Sequence, residues 1–124
     1  MNVKIRAVRD AGDPDLERLV LNVFRPDDIG DYAVFDTTYT DDGRVSNKLR
    51  HSFWFPDKRI AAGDTVVLYT KRGRANEKKN SSGATSHFFY WGLDVTVWNE
   101  GGDCAVLLHV PEWTSYRVVE EPKT

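Results

Sequence analysis

The chain has 124 residues, a formal net charge of −2, 40% hydrophobic and 29% charged residues. That length carries one domain with a core of its own, and the composition excludes disorder for the bulk of the chain. The slight negative charge excludes a global attraction to nucleic acid or acidic lipid, so any such binding falls to a local patch. Cys104 is the single cysteine, which excludes an intrachain disulfide. Its apolar neighbours Ala105 to Leu108 predict a buried thiol, and the reading that follows is a reducing, cytoplasmic setting. No stretch approaches the roughly 18 apolar residues of a membrane span, and Met1 to Arg6 lack the apolar core of a leader, so no membrane partner is expected.

Val3, Ile5 and Ala7 alternate with Lys4 and Arg6, which predicts a half-buried first strand ending at Asp10. After the Asp10–Asp15 turn cluster, Leu19, Leu21 and Val23 predict a second strand, followed by a loop over 25–31. Tyr32 to Tyr39 predict a third strand, and Leu49 to Phe55 a fourth that Pro56 stops. Thr65 to Thr70 is a β-branched and apolar run suited to a central strand buried on both faces. Residues 71–86 show no periodicity and predict a long exposed loop, of the kind that is mobile or functional in compact domains. Short strands are then predicted at His87–Trp91, Val95–Trp98, Cys104–Val110 and Ser115–Val119. Many short strands between Gly, Pro and Asp turns, with no helical periodicity, predict an all-β antiparallel sandwich with Greek-key connections.

The run Trp98-Asn99-Glu100-Gly101-Gly102-Asp103 before Cys104 reads as a tight structural corner. Gly101 and Gly102 admit positive φ there, and Asn99 and Asp103 carry side chains able to cap exposed amides. Trp54, Trp91 and Trp98 each bring a large ring and one indole N–H, predicting packing at the core or its ends with the nitrogen on a backbone carbonyl.

Four stretches together resemble the lamin tail domain, an immunoglobulin-like module with bacterial free-standing members. They are Glu17 to Asn22; Phe53-Trp54-Phe55-Pro56 with Ile60 and Ala62-Gly63-Asp64; Phe89-Tyr90-Trp91-Gly92; and the Trp98–Asp103 corner. The likeness covers roughly residues 17–110 and departs at His109 to Thr114, where the family often has an Asp-x-x-Gly hairpin, and near Asp31-Tyr32, where it often has Gly-Trp. It implies an immunoglobulin-like fold for a single domain over 1–124 and a non-catalytic role in scaffolding or interaction.

Nothing in the spacing assigns a catalytic residue, a metal ligand or a cofactor. His51, His87 and His109 lie far apart, and no nucleophile sits on a Gly-x-Ser-x-Gly elbow. The clusters Asp10/Asp13/Asp15, Asp27/Asp28/Asp31 and Asp41/Asp42 read first as turn formers, with calcium binding as the alternative should they converge. Lys71, Arg72, Arg74, Lys78 and Lys79, beside Tyr69, form a basic segment. The expected function is therefore an interaction module that binds a protein partner through exposed inter-strand loops, 71–86 first and 25–31 second. The alternative is nucleic-acid binding through the basic 71–79 segment.

Overall fold

The computed structural model describes residues 1–99 and 101–122, and within them the chain is nearly all β. Ten strands form: β1 (Val3–Arg9), β2 (Arg18–Val23), β3 (Asp27–Asp28), β4 (Tyr32–Thr38), β5 (Ser52–Trp54), β6 (Arg59–Ile60), β7 (Thr65–Tyr69), β8 (Asn76–Lys79), β9 (Thr85–Tyr90) and β10 (Asp103–His109). Five make one sheet in the order β1-β2-β7-β9-β8, and three make another in the order β10-β4-β5. The short β3-β6 ladder lies on the two stretches by which the chain leaves the larger sheet and returns to it. Neighbours pair antiparallel except β7 and β9, which run parallel with β8 on the outside of β9. No helix among the described residues is long and apolar enough to cross a membrane.

Both large sheets contribute to one core, an arrangement consistent with a β-sandwich. Leu19, Leu21 and Val23 from β2, Val66 and Leu68 from β7 and Phe89 from β9 meet Tyr32 and Val34 from β4, with Phe55 and Trp98. Edge-to-face and tilted ring contacts run Phe89–Phe55–Phe53–Trp91–Trp98, at centroid separations of 5.2, 5.1, 6.0 and 5.8 Å. Such contacts bind the aromatic residues into one packed line through the core. The predicted central strand is in place: Val66, Val67 and Leu68 are all buried, Val66 and Leu68 in the core and Val67 in register between Val20 and Phe88 of the strands on either side.

Several expected elements differ. The alternation Val3, Ile5, Ala7 breaks at a bulge between Ile5 and Ala7, so Val8 rather than Ala7 packs against the core. The 71–86 segment is not one long loop. Asn76–Lys79 pairs with β9, and residues 80–84 turn between the two strands. An edge strand needs only backbone pairing, so its exposed, polar and charged side chains leave no hydrophobic alternation to read. Part of the predicted 25–31 loop likewise holds β3 and a 3-10 turn at Ile29–Asp31 capped by Asp28, whose carboxylate accepts from Gly30 N at 2.8 Å. Val95–Trp98 and Ser115–Val119 form no strand, and the fourth strand shortens to Ser52–Trp54.

Candidate functional site

The Trp98–Asp103 corner is held from elsewhere in the chain. Glu17, 1% exposed, accepts from Val97 N at 2.8 Å, from Trp98 N at 3.3 Å and from Gly12 N at 2.7 Å. A buried carboxylate thus caps the amides at which the chain enters the corner. Asp103 opens β10 opposite Thr38, with an oxygen 3.8 Å from Arg50 Nη1. Left-handed glycines among the described residues are Gly12, Gly43, Gly63, Gly83 and Gly92, so Gly102 turns without positive φ. Gly101 and Gly102 have open space where a Cβ would stand, and Gly102 O accepts from Tyr39 N. Glu100 lies outside the described residues. Trp54 and Trp91 donate their indole N–H to Gly30 O at 2.8 Å and Ser52 O at 3.1 Å, as expected. Trp98 is buried with its Nε1 unpartnered, a cost of about 1–3 kcal/mol that the buried ring must offset.

Each histidine meets an aspartate, a pattern hidden from the sequence by separations of 15 residues or more. His51 Nδ1 lies 3.1 Å from Asp36, and buried His87 Nε2 lies 2.8 Å from buried Asp64. Burial pushes the Asp64 carboxyl up, but the Thr85 and Ala61 amides and His87 outweigh it and hold the group below the ordinary carboxylate value. His109 is exposed and groups with Asp27 and Asp31. The other acidic clusters do not converge. Asp10 pairs with Arg18 at 2.6 Å, Asp13 closes its own turn on the amides of Asp15 and Leu16, and Asp42 binds Thr40.

The basic segment is divided. Lys71 Nζ sits 5.1 Å from the Tyr69 ring centroid, and Arg72 makes a two-point contact with Asp94 at 3.0 and 3.1 Å. Arg74 precedes β8, while Lys78 and Lys79 are successive strand residues and so project to opposite faces. Glu77 beside them holds Lys58 at 2.9 Å. These five cations therefore form no single positive face. Lysine on an open edge also deters pairing with another chain's strand.

The outer face of the β10-β4-β5 sheet is different. Register places Leu108, Ala33 and Trp54 side by side, with Val106, Phe35 and Ser52 in the next row. The short Ala33 side chain between larger neighbours leaves a groove of about 340 Å³, lined by Ala33, Phe35, Trp54, Leu108, Val110 and Trp113. Trp113 arrives from the stretch after Pro111, which forms no helix or strand, and its ring meets Trp54 edge-on at 4.8 Å. Trp54 is still 50% exposed and Trp113 63% exposed, and beyond them Tyr116, Val118 and Val119 contact nothing that buries them. A larger hollow of about 650 Å³ is lined by residues within 40–48 alone, so no second element converges there.

Clustered exposed aromatics on a rigid sheet mark contact surfaces, because their burial returns much free energy at little entropic cost. Sequence reasoning placed Trp54 by its indole N–H and missed the groove, because its lining comes from three strands and a tail. No family model matches the chain, and no curated protein matches it.

Proposed function

We propose that this chain is a non-catalytic interaction module of the immunoglobulin-like, lamin-tail type that binds an extended, aromatic-bearing segment of a protein partner in the Trp54 groove. Support for the class comes from two sheets around one core, a chain that passes between them three times, and the four motif stretches in order. Support for the surface comes from one observation: Trp113, from the chain's own segment after Pro111, forms a wall of the groove with its ring against Trp54. That contact is the kind an aromatic side chain of a partner would make with Trp54. The reading keeps the class expected from sequence and moves the contact from 71–86 to the outer face of the smaller sheet.

The test uses the full chain carrying Trp113→Ala, which removes the chain's own ring from Trp54, titrated with a fluorescent synthetic peptide of residues 110–119. Saturable binding that Trp54→Ala weakens at least about tenfold is expected, as for a central aromatic anchor. Absence of binding, or binding indifferent to Trp54→Ala, overturns the proposal.

A further inference from the structure

The 3-10 turn and the two strand ends beside it gather three side chains that neither the core nor the groove uses. Asp27 lies in β3, Asp31 ends the 3-10 turn and His109 ends β10, and one ligand atom from each lies within 4.8 Å of the other two. The backbone fixes the approach. β10 pairs His109 with Tyr32, and Val110 N donates to Asp31 O at 2.6 Å. The Tyr32 ring lies 4.7 Å from the His109 ring, and the Tyr32 hydroxyl donates to Asp27 Oδ2 at 2.8 Å. Asn2 donates to the same oxygen at 3.1 Å and Asp28 N to the other at 2.7 Å. One tyrosine thus orients both a carboxylate and an imidazole, the supporting arrangement that metal ligands commonly have.

The charge is unbalanced as well. Among the described residues no Lys or Arg forms an ion pair with Asp27 or Asp31. The half-buried Asp31 carboxylate has no hydrogen-bond partner there either. Neighbouring Asp28, by contrast, is spent on the amides of Gly30 and Lys58.

We infer that Asp27, Asp31 and His109 form a binding site for a divalent first-row transition ion, of which zinc is the expected occupant. Two carboxylate oxygens and an imidazole nitrogen suit zinc or manganese, and the nitrogen argues against calcium, which takes an all-oxygen shell. Ligand atoms within 4.8 Å of one another come onto a single ion once the side chains close by about 1 Å, toward the separation that metal–ligand bonds of about 2.0–2.2 Å impose. An ion there would tie the first crossing between sheets to the end of β10, the point from which the Trp113 segment departs.

The experiment is calorimetric titration of the chelator-treated full chain with ZnCl2, MnCl2 and CaCl2, beside His109→Ala and Asp31→Asn. Both variants leave the Asp27–Tyr32 hydrogen bond intact, and their metal-free melting curves should match the parent. One zinc per chain is expected, bound more tightly than manganese, with affinity falling at least about tenfold in each variant. Cobalt titration followed by visible absorption should show the imidazole-ligated spectrum in the parent and lose it in His109→Ala. No zinc binding up to about 1 mM, where even weak three-ligand sites fill, overturns the inference. So does zinc binding unchanged by His109→Ala, or calcium binding as tight as zinc.

Discussion

The carboxylate of Glu17 and the ring of Trp54 represent two regions built on opposite terms. Around Glu17 each oxygen is committed, and the side chain is 1% exposed. Around Trp54 the sheet is just as regular, yet half of the indole surface faces solvent and a second tryptophan lies loosely across it. The first carboxylate is fully used inside the fold, whereas the second region has apolar surface left to bury. A side chain whose every contact is internal speaks for architecture. One held rigidly but left uncovered speaks for recognition.

Glu17→Ala should be the most damaging change, because it strips three backbone amides of their acceptor in a buried site. A loss of about 3–5 kcal/mol is expected by urea or thermal unfolding. Glu17→Gln should cost less, since one side-chain oxygen still accepts. If Glu17→Ala melts with the parent, the corner is not held as described and the contrast fails.

Next comes acid sensitivity at the Asp64–His87 pair. The folded carboxyl titrates below the ordinary value of about 3.9, so its contribution to stability is complete above that pH. It is lost as pH falls through the lowered folded value. Asp64→Asn should reduce stability at neutral pH and flatten the acid limb of the Tm profile, while an unchanged limb would show that the pair carries none of it.

Trp54→Ala should cost only about 1–2 kcal/mol, mainly the bond to Gly30 O and the covered part of the ring, yet remove the groove's anchor. The sharpest form of the comparison is this inversion, in which Glu17→Ala damages folding and Trp54→Ala damages binding. Smallest of all is Lys78→Ser with Lys79→Ser. Exposed on β8, they should shift stability by no more than about 0.5 kcal/mol and leave peptide binding untouched. Their loss should raise self-association at the edge, readable by light scattering. Salt-dependent oligonucleotide binding that disappears in this pair would point to the 71–79 segment instead.

The sequence carried the core well for a physical reason. Leu19, Leu21 and Val23 on one face, and Val66 to Leu68 on both, leave a hydrophobic pattern because their burial demands it. β8 left none, since an edge strand asks only for backbone. Residues 115–119 show the converse: alternation marks a segment able to pair, but pairing also needs a free edge at the right place, and here they stay unpaired with any strand and exposed. Asp27, Asp31 and His109 meet only because the β10-β4 register sets His109 beside Tyr32. No local spacing encodes that meeting. Glu17 was legible as a motif residue, but its grip on Val97 and Trp98 spans 80 and 81 positions.

The most direct measurement is a two-dimensional NMR titration of the isotope-labelled Trp113→Ala chain with the peptide of residues 110–119. Amide shifts should concentrate on Ala33, Phe35, Trp54 and Leu108, with Asn76 to Lys79 unmoved. Shifts gathered along β8, or none at any peptide concentration, would contradict a module that recognises its partner through the apolar face of the smaller sheet.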